Sequence, residues 1–273
     1  MVYHNKLSLS QNFLKNRDIV SQLINASDLN ISDTVIEIGP GRGIITTLLC
    51  GKVAKVLTIE KDLGLANSLI KQTSNITNLE IINQDFLDYQ LPCVNYKIFA
   101  NPPFAITAEI LNKIYLSDNL PDSMFLIMQQ ETADKFIGAK FESQSSILFK
   151  PFFEIENLGN IDRTSFTQKP QVKITFVRFL KRHSPFIKDQ NKLDFYNFVI
   201  YGFNQWQPTI LDAYKKVLTY TQLQTIKKSL KIGNTPPSKL SFDKWLLFFK
   251  TYLKIATEKQ KSAINSLSSL KSS

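Results

Sequence analysis

The stretch TVIEIGPGRG (Thr34–Gly43) runs from a short β-favouring apolar segment into three glycines spaced G-x-G-x-G. IITTLLCGK (Ile44–Lys52) follows at once with helical patterning. A strand that turns this sharply into a helix needs residues tolerant of left-handed dihedrals. Further along, KVLTIE (Lys55–Glu60), LEIINQ (Leu79–Gln84), YKIFAN (Tyr96–Asn101) and SMFLIMQ (Ser123–Gln129) repeat the apolar, β-branched and aromatic composition of buried strands. LGLANSLIKQ (Leu63–Gln72) and AITAEILNKIY (Ala105–Tyr115) intervene with helical periodicity. Strand–helix alternation of this kind predicts an α/β, Rossmann-like fold, a mostly parallel sheet covered on both faces. FFEIENLGNI (Phe152–Ile161) and QVKITFVRFL (Gln171–Leu180) have no long helix between them and predict an antiparallel hairpin at the end of the sheet.

After Lys181, Arg182 and His183 the pattern is helical only, over roughly 191–204, 208–220, 221–231 and 242–255. The expected organisation is therefore a catalytic α/β domain over 1–180, a small all-helical domain over 181–258, and a Ser- and Lys-rich tail over 259–273 that is disordered. A chain of 273 residues accommodates two such domains, and 43% apolar content spread along it supplies a core for each. MVYHNKLSLSQNF lacks the basic start and apolar stretch of a secretion signal, and no run approaches the ~18 apolar residues of a membrane span. A cytoplasmic monomer with no membrane partner is expected. Cys50, Cys93, His4 and His183 are too few and scattered for a metal cluster or a disulfide framework, so two reduced, partly buried thiols and no metal are expected.

The net charge of +10 is unevenly distributed. Residues 1–150 carry 13 Lys or Arg against 15 Asp or Glu, whereas residues 151–273 carry 20 against 8. In the C-terminal part, basic residues such as Lys215, Lys216, Lys227 and Lys228 alternate with large apolar ones, so one face of a helix can pack while the other meets a polyanion. Together with Lys181 and Arg182 they are candidate RNA contacts, and a solvated lysine-rich surface is the plainer alternative.

The glycine spacing is not the G-x-G-x-x-G of a dinucleotide site, so no pyrophosphate is implied. Two acids close strands of the same sheet. Glu60, 17 residues after Gly43, is placed to accept from ribose hydroxyls, and Asp85, in QDFL, to accept from an adenine amino group while Phe86 packs on the ring. The ordered set describes an adenosine pocket. NPPF (Asn101–Phe104) ends the next strand. An exocyclic amine of a nucleobase is a poor nucleophile because its lone pair is delocalised into the ring. Accepting both of its N–H bonds, through the Asn101 side-chain oxygen and the Pro102 carbonyl, holds the nitrogen out of conjugation without a general base. Two prolines make the turn rigid and Phe104 can stack on the extruded base.

These residues resemble the rRNA adenine N6-methyltransferase family, which includes the erythromycin-resistance (Erm) enzymes and the KsgA-type small-subunit dimethyltransferases. The resemblance begins at SQNFL (Ser10–Leu14), continues through EIGPGRG, Glu60, QDFL and NPPF in the family's order, and extends to QQETADKF (Gln129–Phe136). It implies a class I methyltransferase sheet with S-adenosylmethionine bound by Gln11, Asn12, Leu14, Gly39, Gly41, Glu60, Lys61, Asp85, Phe86 and Asn101. Asn101, Pro102 and Phe104 would then act on an adenine of ribosomal RNA. Pro102 stands where the family usually has Ile or Leu, as in amino-methylating DNA enzymes. SFTQKPQVKI (Ser165–Ile174) resembles the family's F-x-P-x-P-x-V loop with Gln168 for the first proline, which would let Phe166 cover the base.

LSFDKWLLFFKTYL (Leu240–Leu253) and YKKVLTYTQLQTIKKSLKI (Tyr214–Ile232) look more like the short helical domain of the Erm group. That likeness implies 23S rRNA as substrate and resistance to macrolide, lincosamide and streptogramin B antibiotics. The alternatives are a 16S rRNA dimethyltransferase of KsgA type, a non-catalytic RNA-binding or transcription factor on the same fold, and a DNA adenine methyltransferase.

Overall fold

The computed structural model describes residues 12–269, with side chains as far as Ser266. Asn16 opens helix α1 (Arg17–Asn25) by accepting, through its side chain, from the Asp18 and Ile19 amides. Strand β1 (Thr34–Ile38) leads into α2 (Ile44–Cys50), β2 (Lys55–Glu60) into α3 (Leu63–Gln72), and β3 (Leu79–Asn83) is followed by β4 (Lys97–Ala100). Next come α4 (Thr107–Leu116), β5 (Ser123–Gln129), α5 (Gln130–Ile137), α6 (Gln144–Phe149), β6 (Phe153–Ile161) and β7 (Ile174–Lys181). The rest is helical: α7 (Lys192–Phe203), α8 (Ile210–Ala213), α9 (Tyr220–Leu230), α10 (Phe242–Ile255) and α11 (Glu258–Ser269).

Among the described residues seven strands form one sheet in the order β3-β2-β1-β4-β5-β7-β6. The first five are parallel neighbours, and β7 runs antiparallel against β5. The central strands are buried almost throughout, β5 in six of its seven residues, which is why they read as continuous apolar runs. One apolar layer of this sheet is built from Val35, Val56, Phe99, Phe125, Ile127 and Phe176 and is covered by residues of α1 and α2, among them Val20, Ile24, Ile45 and Leu49.

The chain divides into two compact units, one comprising the residues up to Ala133 with Glu154–Lys181, the other Asp134–Phe153 with Arg182 onward. Residues 134–153, which sequence reading assigns to the first domain, thus cluster with the helices after Lys181. Contacts to the later residues explain it: the Glu142 amide donates to the Ser238 carbonyl at 2.9 Å, Lys150 Nζ lies 5.8 Å from the Phe242 ring centroid, and Lys192 Nζ lies 5.8 Å from that of Phe152. At the centre of that unit Phe198 is ringed by Tyr214, Phe248, Phe249 and Tyr252 at 4.8–5.3 Å between ring centroids.

Two expectations for the helical part are corrected. The helix expected over 208–220 is reduced to α8, because Tyr214 turns inward and its hydroxyl donates to the Phe198 carbonyl at 2.6 Å. The tail expected to be disordered over 259–273 is helical in α11, which packs against α7. Ile264 is buried, and Asn265 bridges Asn197 (3.1 Å) and Asp194 (3.2 Å). The low apolar content of this 12-residue helix hid the one buried side chain among its described residues, Ile264, that fixes it. Residues 270–273 lie outside the described chain. Cys93 is exposed rather than partly buried. Among the described residues no helix is long and apolar enough to cross a membrane, and no cluster of His, Cys, Asp or Glu has the makings of a metal site.

Candidate active site

In the parallel part of the sheet the strand order reverses between β1 and β4, and the crevice beyond the carboxyl ends of such strands is where α/β folds bind ligands. Register brings the predicted motifs to one edge. Ile38 pairs with Ile59 on one side and Ala100 on the other, so the glycine loop, Glu60 and Asn101 leave the sheet side by side. Glu60 in turn pairs with Asn83, whose side-chain amide donates to the Glu60 carbonyl at 2.8 Å and fixes the end of β3 beside β2.

Gly39, Gly41 and Gly43 all have positive φ. At Gly41 the demand is twofold. Its φ is +55°, and a Cβ there would lie 2.5 Å from Cε1 of Phe13. Its amide also donates to Glu60 Oε2 at 3.1 Å, while the Asp62 amide donates to Oε1 at 2.9 Å. Glu60 is buried, which pushes its carboxyl pKa up, and these two backbone donors pull it back. Each oxygen retains a lone pair for a hydroxyl. Asp85 accepts from Lys61 Nζ at 2.6 Å and from the Leu87 amide at 2.9 Å, and the lysine holds its carboxyl below the usual range. Lys61 is largely exposed, so within this site it acts through Asp85.

The NPPF corner is tied to the N-terminal motif by a bond that sequence could not show. Asn101 Nδ2 donates to the Asn12 carbonyl at 2.9 Å, which leaves Oδ1 as the free acceptor. The Pro103 carbonyl accepts from the Ile106 amide at 3.1 Å and from Thr107 Oγ1 at 3.3 Å, opening the turn into α4. Among the described residues no donor occupies the Pro102 carbonyl. Phe104 is partly buried against the sheet core and keeps part of its ring accessible.

The segment carrying Asn12 is itself held as a β-bridge. The Thr167 amide donates to the Phe13 carbonyl (2.8 Å) and the Lys15 amide to the Ser165 carbonyl (2.9 Å), with Leu14 opposite Phe166. The expectation that Phe166 covers a base is corrected by this arrangement: its ring is 1% exposed, in the core with Leu14, Phe125, Ile174 and Phe176. Buried there, the ring anchors the Phe13–Lys15 segment to the sheet core.

One cavity gathers these residues: Asn12, Leu14, Gly39, Gly41, Glu60, Lys61, Asp85, Phe86, Asn101 and Pro102 all line it. Phe104 does not line it. Gln11 lies outside the described residues. Sequence reading missed Phe13, Arg42, Ile106 and Ile110 in its wall. Phe13 lies within the quoted SQNFL, and the Arg42 guanidinium sits 5.3 Å from its ring centroid, a pairing that no linear spacing announces.

Of the candidate RNA contacts, three are engaged locally. Lys181 Nζ donates to the Leu120 carbonyl at 3.2 Å, and Arg182 Nε donates to the Lys150 carbonyl at 2.9 Å while its guanidinium lies over Phe186. Lys215 pairs with Asp212. Lys216, Lys227 and Lys228 are exposed.

Below the glycine loop, Glu37 of β1 is 1% exposed, with Thr46 of α2 beside its carboxyl group. Burial pushes its pKa up to about 8. A group held neutral in the folded chain and ionised in the unfolded one favours folding at low pH and loses that advantage as pH rises from the ordinary carboxyl range through its folded value. Glu37→Gln is therefore expected to raise Tm by more at pH 8.5 than at pH 5, on the order of a few kcal/mol of stability at the higher pH. Equal Tm changes at the two pH values would show that Glu37 is ionised in the fold.

A sequence profile described as Ribosomal RNA adenine dimethylase matches residues 2–254, nearly the whole chain. The chain belongs to the ribosomal RNA adenine dimethylase family. This family comprises S-adenosylmethionine-dependent rRNA adenine N6-methyltransferases, and S-adenosylmethionine is the methyl donor. An rRNA adenine N-6-methyltransferase of Bacillus licheniformis is 28% identical over 88% of this chain and 85% of its own. A ribosomal RNA small subunit methyltransferase A of Latilactobacillus sakei is 34% identical over 75% of this chain and 73% of its own. In fold, the crystal structure of the 23S rRNA methyltransferase ErmE superposes with a TM-score of 0.75 at 24% identity, covering 88% of this chain and 99% of that one. A dimethyladenosine transferase from Plasmodium falciparum gives 0.76 at 22% identity over 89% and 98%. The donor set fits the family's cofactor. An adenosine needs acceptors for ribose hydroxyls and an amino group, which Glu60 and Asp85 offer, and apolar walls, which Phe86, Ile106 and Ile110 offer.

Proposed function

We propose that this cavity binds S-adenosylmethionine with Glu60 at the ribose hydroxyls, Asp85 at the adenine amino group and Phe86 against the ring. Asn12, Leu14 and the loop of Gly39 and Gly41 then face the methionine end, and the Asn101–Phe104 corner receives the N6 of an adenine in 23S rRNA. The observation that carries this reading is the Asn101 amide. Its nitrogen is committed to the Asn12 carbonyl, so its oxygen is left as an acceptor in the cavity wall that Pro102 also lines, and no donor among the described residues occupies the Pro102 carbonyl.

The donor supplies an electrophilic methyl group on a sulfonium. The chain's own contribution is to hold the attacking nitrogen. Asn101 Oδ1 and the Pro102 carbonyl accept its two N–H bonds, turning the lone pair out of conjugation. The rigid double-proline turn prevents those acceptors from following the base as it leaves. Phe104 offers an accessible ring edge to a base taken out of its stack.

The 23S target, and with it resistance to macrolide, lincosamide and streptogramin B antibiotics, is supported by the Erm-like run of Tyr214–Ile232 and Leu240–Leu253, which forms α9 and α10. A second reading, dimethylation of 16S rRNA, is favoured by the 34% identity to the small-subunit enzyme of Latilactobacillus sakei. Labelled methyl transfer to naked 23S and 16S transcripts, with primer extension to map the modified adenine, separates them. Transfer to 23S alone supports the first reading, and transfer confined to 16S or to assembled subunits replaces it with the second. Transfer to none of these substrates, assembled subunits included, sinks both.

A further inference from the structure

Trp206 is 96% exposed, the largest exposure of any bulky apolar side chain among the described residues. Its backbone φ is +53°, in the left-handed region that bulky residues rarely adopt. Exposure and strain together need a reason, because neither is repaid inside the fold: the indole buries almost nothing. The loop that carries it is pinned at both ends. The Asn204 amide caps α7 by donating to the Ile200 and Tyr201 carbonyls (3.1 and 3.3 Å), and Phe203 stacks flat on Trp245 at 5.2 Å. On the other side Thr209 caps α8, and the Ile210 amide donates to the Thr235 carbonyl at 2.8 Å. A rigid mount with one unsupported indole is how a chain presents an aromatic face to something else.

The surroundings state the chemistry of that partner. The unit holding Trp206 carries 18 Lys or Arg against seven Asp or Glu, a net of +11, while the other unit carries 15 against 16. Lys216, which follows α8, and Lys227 and Lys228 on α9 are exposed. A polyanion that also has flat π-faces satisfies both features, and single-stranded nucleic acid is that polyanion.

We infer that Trp206 is a stacking platform for an unpaired base of the RNA substrate, set in the basic helical unit. The inference rests on the RNA-modifying function proposed above and adds a positioning residue to it. Trp206 stacks on the substrate without taking part in the chemistry and holds its register.

The chain has two tryptophans, and Trp245 is fully buried, so solvent-accessible indole emission reports Trp206. The probes are naked 23S and 16S rRNA transcripts and inorganic polyphosphate, which has the charge of RNA without bases. Either transcript is expected to quench the accessible emission of the wild-type protein, and polyphosphate is not. Trp206→Gly, which suits a positive φ, is expected to keep or raise Tm. It should weaken transcript binding about ten-fold, the order of one lost base–aromatic stack, with an unchanged salt slope and unchanged affinity for polyphosphate. Trp206→Phe should restore most of that affinity. Lys216→Glu should behave oppositely, weakening both polyanions and lowering the salt slope by about one.

Transcript binding by Trp206→Gly equal to wild type overturns the inference, as does an equal loss for polyphosphate, a fall in Tm, or the absence of quenching by both transcripts. The emission readout does not depend on turnover. Absent methyl transfer with base-specific quenching would therefore count against the proposed reaction alone, and methyl transfer without quenching would count against the stacking role alone.

Discussion

Asn101→Ala is expected to cut methyl transfer by ~100-fold or more at saturating donor, the scale on which removing one preorganised polar contact slows an enzyme. Its effect on donor binding is expected to be small. The mutation deletes two things, the Oδ1 acceptor facing the cavity and the Nδ2 bond to the Asn12 carbonyl at 2.9 Å. The second is a neutral hydrogen bond worth ~1 kcal/mol, or several-fold in the affinity of whatever Asn12 helps to hold. The first operates only when a target amine is present. Calorimetry of S-adenosylmethionine binding and single-turnover methyl transfer therefore separate them. Asn101→Asp is expected to fare no better, because it would set a carboxylate oxygen against the Asn12 carbonyl where a donor is needed. Unchanged turnover in Asn101→Ala would remove the side chain from the reaction and leave the corner as an ordinary turn after a strand.

The second large effect is expected at Gly41. Alanine there must adopt φ +55° with its Cβ 2.5 Å from the Phe13 ring. The left-handed conformation alone costs about 1–2 kcal/mol of fold stability, so Tm should fall, and displacing Phe13 from the cavity wall should lower donor affinity by roughly ten-fold, the order of one lost apolar contact. The same residue donates its amide to Glu60, so any shift of the loop also disturbs the acid proposed to meet the ribose. The double variant Phe13→Ala, Gly41→Ala divides the cause. Partial recovery identifies the ring clash, and no recovery identifies the backbone. Wild-type donor affinity in Gly41→Ala would mean the loop does not approach the ligand.

The consequence for mechanism is that the proposed cofactor pocket and the proposed base-receiving corner share structure. Asn12, in the N-terminal motif, holds Asn101. The residues after Asn12 are held by the bridge to Ser165–Thr167, and Phe166 anchors that bridge in the core.

Linear sequence was sufficient for whatever depends on local periodicity and on strand ends. The Thr34–Gly43 turn, the parallel strands, and the placement of Glu60, Asp85 and Asn101 on one edge all follow from strand residues succeeded by special ones. In a parallel sheet every carboxyl end lies on the same side, so sequence order becomes spatial proximity. Tertiary structure alone decided which groups share a bond or a wall across distant segments. It turned Phe166 from an expected lid into a core anchor, assigned residues 134–153 to the helical unit, made the low-hydrophobicity run 258–269 a helix through a few buried contacts, and exposed Trp206 on a strained backbone. Those outcomes depend on which face of a segment finds a partner, and a pattern of residue types carries no information on where the partner stands.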